Sequence, residues 1–561
     1  MINTSISNPR RIDYVELPRR MGAIGMTICP GKSCHGAYGI HERDLALDLE
    51  EIWKWGAEIL VSLIEEHEYV EYGISDIGSK IPEEFMHIKL PIRDMDIPDS
   101  RWGRKWARVG PKIRAVLRRG GKVCIHCLGG LGRTGTVAAR LLVEFSFHPA
   151  QAIQEVRAAR PGTIQTEAQE QYINSLEPVW RRFDRTRACL LAGACGDALG
   201  ATVEFDNRDK ILATFGPSGI RDFVDNEYGI AGKITDDTQM SLFTAEGLIR
   251  AEVRRRLRDL SSYEGCIHHA YLRWLYTQKS NVPVEGFKPD GWLISNEELF
   301  NRRAPGHTCL ESLLIAEGIG VPETANNNSK GCGGVMRAAP VGLFMAALGG
   351  ADDESRHKAF KIGCASARLT HGHPSGYLSA GALSMIIHDL ILGEELADSV
   401  VRAISRLEKE EGSGETAGKL RDALRLAAGT TAPVECIKEL GLGWVGEEAL
   451  AIAVFCALRA NDLEDGICMA VNITGDSDST GSIAGNILGA MYGCSAIPAR
   501  WLDRLELKET IRETAEDLIF IHDSTLSSRD SSLRKENMSD RHAQELSQKE
   551  NDWWVERYPG W

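Results

Sequence analysis

The chain has 561 residues, 43% of them hydrophobic, and 65 basic against 79 acidic side chains leave a net charge of −14. At roughly 150 residues per domain this length makes two to four domains, each able to bury its own core, which excludes disorder throughout. The acidic balance excludes a surface built for extended nucleic-acid binding, which needs a broad basic face, while a nucleic-acid terminus stays open as a substrate.

Residues 1–20 contain arginines and prolines but no apolar signal core, and the fourteen cysteines are scattered, so a cytoplasmic protein without disulfides is expected. The longest apolar run, Ala449 to Leu458, is about half of what a membrane span needs, and no membrane association is expected.

In chain order, HERDLALDLEEIWKW has helical periodicity, and GAEILVSL, HIKLPI and KVCIHC read as strands separated by charged or helix-like sequence. This alternation predicts an α/β domain with a mostly parallel central sheet over residues 12–180. Beyond it, SVVRAISRLEKEEG, AGKLRDALRLAAG and EEALAIAVFCALRA repeat apolar residues every three or four positions, which predicts an all-α domain over 188–522. No Gly- or Pro-rich linker separates the two, so the last helix of the first domain is expected to lead almost directly into the second. Residues 523–561 read as a polar linker or exposed helix ending in an aromatic tail. There Trp553, Trp554, Tyr558 and Trp561 are costly to leave in water and should dock on the body or on a partner.

Within KVCIHCLGGLGRTGTVAARLLVE a strand, a small-residue loop and a helix follow in order. A phosphate ester carries negative charge, and backbone N–H groups of a glycine-rich turn entering a helix point positive dipole at it. Leu128, Gly129, Gly130, Leu131 and Gly132 form that candidate phosphate cradle, Cys127 stands at its start as nucleophile, and Arg133 grips phosphoryl oxygens with its planar fork. Cys-x5-Arg alone is weak, and CSAIPAR repeats it from Cys494 to Arg500 without glycines, a coincidence. His126, the glycines and Thr134 set the first copy apart. A leaving oxygen also needs a proton, which a carboxylic acid about thirty residues upstream, in LPIRDMDIPD, can supply from a loop.

With these residues in view, 12–180 resembles the cysteine-based tyrosine and dual-specificity phosphatases, most of all the kinase-associated phosphatase branch. The resemblance maps His-Cys-x5-Arg-Thr onto His126, Cys127, Arg133 and Thr134, and the general acid onto Asp94, with Asp96 and Asp99 as close competitors. It maps the segment that places water for the second step onto RPGTIQTEAQ, with Gln165 and Gln169.

In the helical half, KITDDTQM holds Thr235, Asp236 and Asp237, and NITGDSDSTG holds Asp476, Asp478, Ser479 and Thr480. Each string opens a helix-period run, so each is also a good N-cap. Consecutive carboxylates nevertheless favour a cation, and oxygen-only ligands point to Mg²⁺ or Mn²⁺. LLAGACGDALGATVEF adds Gly193, Gly196 and Gly200 around Asp197, with Glu204 following as a carboxylate able to orient or deprotonate water. The small residues alone would serve close helix packing.

Residues 188–522 resemble the ADP-ribosylglycohydrolase family. That resemblance implies a two-ion Mg²⁺ or Mn²⁺ site on Thr235, Asp236, Asp237, Asp476, Asp478 and Ser479, with Glu204 managing protons. It also implies ADP-ribose contacts at Gly331, Gly333, Gly334 and His371. Where many members have Gly-Asn-Gly before Met-Arg, GCGGVMR puts Cys332 in place of the asparagine. Together the halves imply a bifunctional hydrolase of phosphorylated and ADP-ribosylated substrates, with one molecule carrying both groups as the first reading. Separate targets, or one half serving as a non-catalytic ligand sensor, are the alternatives.

Overall fold

A computed structural model describes residues 2–36, 39–82, 85–225, 231–279, 287, 289–315, 324–526 and 540–560. It divides into two compact units: residues 1–181 with 523–555, and 182–522 with 556–561. The boundary falls inside the continuous helix Glu177–Gly200.

The first unit is built on a five-stranded sheet in the order Asp13–Glu16, Ala23–Thr27, Lys122–His126, Ala57–Ser62, Met86–Lys89. Only the first pair is antiparallel. The central strand reads Val-Cys-Ile-His with no exposed residue from Val123 to His126, as a strand covered on both faces requires. Ile24, Met26, Ile59, Leu60 and Val61 complete that buried layer. A second, three-stranded sheet joins Ile2–Thr4, Gly39–Glu42 and Ser33–Gly36.

The second unit is helical, with one isolated bridge between Gly331 and Val445 among the described residues. Its central helices are apolar all round: Gly446–Arg459 has no exposed surface from Ala449 through Cys456, and Pro374–Ile391 is buried from Leu378 to Ile391. The Ala449 to Leu458 run is thus core, and no described helix is long and apolar enough to cross a membrane. All fourteen cysteines are free thiols.

Close approach of two helices builds the site of this unit. A Cβ on Gly196 would lie 2.0 Å from the Gly481 carbonyl oxygen, and one on Gly200 would lie 2.2 Å from that of Ser477. The helices Glu177–Gly200 and Ser477–Tyr492 therefore meet backbone to backbone, with Gly200 against the acidic start of the second helix.

Toward the C-terminus, Asp540–Arg557 is helical, with Leu546, Glu550 and Trp554 buried. Glu550 pairs with Arg118 at 3.0 Å within the first unit. Within the second, the Tyr558 hydroxyl donates to Asp517 at 2.7 Å and the Arg557 guanidinium lies 3.6 Å over the Trp292 ring. Trp561 lies outside the described residues.

Candidate functional site

The strand Lys122–His126 delivers Cys127, 3% exposed, to a turn of Leu128, Gly129, Gly130 and Leu131, and the helix Gly132–Glu144 starts on its far side. Gly130 has φ +66°, and a Cβ there would lie 2.3 Å from the Thr27 carbonyl oxygen, so the turn hugs the neighbouring strand only as glycine. From outside, Arg160 donates to the Gly130 carbonyl at 2.7 Å and pairs with Asp13 at 2.6 Å. The Gly132 N–H donates to Gln165 Oε1 at 3.0 Å, and the Gln165 N–H donates to Gln169 Oε1 at 2.9 Å, which ties the RPGTIQT segment to the cradle.

Arg133 is 1% exposed and forks onto Glu68, with Nη1 to Oε2 at 2.7 Å and Nη2 to Oε1 at 2.9 Å. It also donates to the Ile92 carbonyl at 3.1 Å and pairs with Asp94 at 3.0 Å, while its Nε is buried without a hydrogen-bond partner among the described residues. Burial works against the guanidinium charge, but Glu68 and Cys127 outweigh it and hold its pKa above the ordinary value. Burial likewise pushes Glu68 upward, and Arg133 with the Glu65 amide pulls its carboxyl below the usual range. The Thr134 hydroxyl is buried with no hydrogen-bond partner among the described residues.

The three candidate acids separate by position. Asp99 caps the helix Ser100–Arg118 through the Trp102 N–H at 2.6 Å, and Asp96 accepts from its neighbour Ile97 at 2.8 Å. Asp94 alone of the three is paired with Arg133, with its side chain 61% exposed. Behind the nucleophile, His126 Nε2 lies 2.6 Å from Ser62 Oγ, which lies 2.8 Å from His87 Nε2. Burial pushes His126 down to about 3 and His87 down to about 4, so both rings are neutral near pH 7.

In the second unit, Thr235 caps the helix Asp236–Arg258 and Asp476 caps Ser477–Tyr492. The two starts meet: Thr235 Oγ1 lies 3.4 Å from Asp478 Oδ2, and Ser479 Oγ lies 3.5 Å from Asp237 Oδ2. All seven named residues of the two strings are buried, as is Glu204. Asp197 accepts from the Thr235 hydroxyl at 2.8 Å, from the Thr235 and Thr238 amides at 3.1 Å, and from the Thr238 hydroxyl. It thus orients the first string from below. The Gly306 amide donates to Asp236 at 3.0 Å.

Burial pushes Asp197 up to about 6 against the pull of the Thr238 and Thr235 hydrogen bonds, and Asp236 up to about 7 against that of the Gly306 amide. Burial, then the charges of Asp197, Asp236, Asp476 and Glu204, raise Asp237 well above the carboxylate range. Burial, then Asp237, Glu204 and Asp476, do the same for Asp478. Asp237 Oδ1 is buried without a hydrogen-bond partner among the described residues. Crowded, desolvated carboxylates with an orphaned oxygen fit divalent cations, whose charge reverses each of these shifts. Among the described residues no group of three or more His, Cys, Asp or Glu side chains could hold a metal ion as it stands; the set includes two hydroxyls, and carboxylates without a cation repel one another.

The Gly331–Gly334 turn and His371 stand together. A Cβ on Gly333 would lie 3.2 Å from the His371 ring and one on Gly331 3.4 Å from its Nε2, while one on Gly334 would meet the Gly376 carbonyl at 2.6 Å. Burial, then Arg337, pushes His371 down to about 3, and its Nδ1 lies 2.8 Å from Thr370 Oγ1. Beside the cleft, exposed Phe205 and Trp444 stack with centroids 6.3 Å apart.

Sequence reasoning missed Glu68, hidden in the charged string EEHEYVE, and the Ser62–His87 relay, whose members lie on separate strands. Thr238 and Arg337 were also missed: Arg337 is fully buried and donates to Thr370 Oγ1 at 2.6 Å. A buried arginine implies a partner, but the sequence does not show which.

A family model described as ADP-ribosylglycohydrolase matches residues 179–527, and one described as Swiss Army Knife protein, DSP-PTPase phosphatase domain matches residues 41–173. The ADP-ribosylarginine hydrolase Tri1 of Serratia proteamaculans (strain 568) is 28% identical over 357 residues, covering 62% of this chain and 82% of that protein. The Tri1 of Pseudomonas putida (strain GB-1) is 25% identical over 345 residues, covering 60% and 78%. Among solved structures, kinase associated phosphatase is 25% identical, covering 31% of this chain and 97% of that one with a TM-score of 0.28. ADP-ribosylglycohydrolases generally depend on a divalent metal, and cysteine phosphatases need none. The chain belongs to the ADP-ribosylglycohydrolase family and carries, ahead of that domain, a second hydrolase domain of the DSP-PTPase type.

Proposed function

We propose that the chain is a two-site hydrolase that cleaves phosphate monoesters at Cys127 and ADP-ribosyl glycosidic bonds at the carboxylate cleft. The observation that carries this reading is the meeting of two helix starts, 3.5 Å apart at Asp237 and Ser479 and 3.4 Å apart at Thr235 and Asp478.

At the first site the Cys127 sulfur attacks phosphorus, the phosphorus–oxygen bond breaks, and Asp94 gives the leaving oxygen its proton. Arg133, held by Glu68, meets phosphoryl oxygens with its free Nε edge, and phosphate arrival replaces the Asp94 contact. Thr134 steadies the sulfur through its free hydroxyl. Water placed by Gln165 and Gln169 then attacks the cysteinyl phosphate, Asp94 takes back a proton, and phosphate leaves.

At the second site Thr235, Asp236, Asp237, Asp476, Asp478 and Ser479 would hold a pair of Mg²⁺ or Mn²⁺ ions. When bound, such ions supply countercharge and lower the pKa of water. Glu204 takes the proton of the water that attacks the anomeric carbon and hands it to the departing nitrogen or oxygen as the glycosidic bond breaks. Gly331, Gly333, Gly334 and His371 line the ADP-ribose side. His371 is neutral, so it serves as a hydrogen-bonding ring and not as a cation.

Two hydrolases on one chain work at high mutual concentration. That supports a finer reading, in which one substrate carries both a phosphate and an ADP-ribose. A panel of ADP-ribosyl linkages to arginine, serine and phosphate, assayed with and without Mg²⁺ or Mn²⁺, tests the scheme. Metal-dependent ADP-ribose release from at least one linkage is expected, and none from any overturns the glycohydrolase assignment. Turnover of phosphotyrosine peptides but not of ADP-ribose phosphate esters overturns the shared substrate.

A further inference from the structure

A neutral histidine carries its hydrogen on one ring nitrogen and accepts on the other, and the neighbours of His371 decide which is which. The ring lies along the Gly331–Gly334 turn: a Cβ on Gly331 or on Gly333 would lie 3.4 Å from Nε2, and one on Gly334 would lie 3.6 Å from Nδ1. Nε2 has no hydrogen-bond partner among the described residues, whereas Nδ1 lies 2.8 Å from Thr370 Oγ1. Taken alone, that pair of atoms leaves the hydrogen on either side.

Arg337 breaks the tie. A guanidinium only donates, and Arg337 Nη2 lies 2.6 Å from Thr370 Oγ1, so the threonine oxygen accepts there and has one hydrogen of its own to give. The Ala367 carbonyl, at 3.4 Å, is beyond the ordinary O–H···O range. The Cys309 sulfur is a weak acceptor that already takes Arg337 Nη1 at 3.1 Å. That leaves His371 Nδ1 at 2.8 Å as the good acceptor, and an accepting Nδ1 is bare. Arg337, Thr370, His371 and Cys309 are all at most 1% exposed, so water does not compete. No carboxylate pairs with Arg337 among the described residues; its charge faces the Tyr271 ring, 4.4 Å from the centroid.

We propose that Arg337 is a positioning residue that acts through Thr370 to fix His371 as the Nε2–H tautomer, so that the ring presents a hydrogen-bond donor, between Gly331 and Gly333, to a diphosphate oxygen of ADP-ribose. The inference rests on reading this turn as the ADP-ribose side of the cleft. It deepens that reading by giving the contact a polarity: an oxygen with lone pairs is received, a donating group is not, and the uncompensated Arg337 charge favours an anionic oxygen.

The test is nitrogen NMR of the full-length chain carrying isotope-labelled histidine, which tells a protonated ring nitrogen from a bare one, with His371 assigned by the signals that His371→Gln removes. Calorimetric titration with ADP-ribose in the presence of Mg²⁺ runs beside it. The wild type should show a protonated Nε2 and a bare Nδ1, and Thr370→Ser should keep both. Thr370→Val removes the hydroxyl, and Arg337→Gln puts an acceptor beside it; each should spread the hydrogen over both nitrogens and weaken ADP-ribose binding by about tenfold. Should the buried variants fail to fold, the wild-type spectrum alone still decides. A wild type protonated at Nδ1, or a folded Thr370→Val with unchanged tautomer and affinity, overturns the inference and leaves the hydrolase reading standing. A wild type with the expected tautomer that binds no ADP-ribose overturns the glycohydrolase reading and the ligand assigned to this ring.

Discussion

Around Arg133 every buried charge meets its opposite. Glu68 occupies the two outer nitrogens, Asp94 and the Ile92 carbonyl take further contacts, and the remaining Nε is buried without a hydrogen-bond partner among the described residues. Around Asp237 like meets like: Asp197, Asp236, Asp476 and Glu204 all push its carboxyl upward. The first cradle carries its own countercharge and is complete in the polypeptide. The second is a set of crowded carboxylates, a charge pattern that added cations would relieve. On the proposed reading, one chain combines a site that depends on covalent nucleophile chemistry with one that depends on its ionic surroundings.

Crossing those dependences gives the largest expected effect. Cys127→Ser should lower kcat/KM on p-nitrophenyl phosphate by about 10⁴-fold or more, the scale of removing a nucleophile from a catalytic unit. Metal-dependent ADP-ribose release by the same variant should stay at the wild-type level. Chelation should do the reverse, abolishing ADP-ribose release and sparing phosphate release. Loss of phosphatase activity on chelation would break the comparison.

A smaller effect probes how the cleft is held. In Gly196→Ala the new methyl would sit 2.0 Å from the Gly481 carbonyl oxygen, a backbone atom that cannot swing away. The helices must part, at a cost of about 1–3 kcal/mol, and Asp197 moves with them. A lower thermal midpoint with weakened ADP-ribose release and unchanged phosphate release is expected. An unshifted midpoint would mean that the backbone contact is not what sets the cleft.

Much of both sites was readable because their chemistry is local in sequence. Cys127 to Arg133 is one strand–turn–helix, and each acidic string is one helix start whose residues serve as caps whether or not they bind anything. What eluded the sequence is what depends on distant partners. Glu68 lies 65 positions before Arg133 in a string that looks like a solvated acidic surface. Gly196 and Gly200 could be read as points of close helix packing, but the sequence did not show which helix presses there. The strand periodicity located three of the four strands in parallel pairing yet was silent on Ala23–Thr27 and on the antiparallel edge Asp13–Glu16, because runs of four or five residues carry too little pattern. The polar C-terminal stretch hid the buried Leu546 and Glu550 of the helix Asp540–Arg557, whose charged faces dominate its composition, while Trp554, expected to dock, is buried.

The smallest effect separates the phosphatase cradle from the rest through acid. His126 and His87 are buried neutral, at about 3 and about 4, whereas in the unfolded chain they return to 6.5. Between pH 6.5 and about 4 the unfolded state therefore binds protons that the folded state does not, so stability is full above this window and is lost as pH falls through it. Glu68, whose carboxyl sits below its ordinary value, extends the loss at lower pH. His87→Gln can still offer Ser62 a hydrogen-bonding partner but cannot take up a proton on unfolding. Phosphatase activity surviving a fixed urea exposure should fall between pH 7 and pH 5 in the wild type and fall less steeply in His87→Gln. Equal slopes would show that the Ser62-linked pair does not set acid sensitivity, and would move its origin to the carboxylates alone.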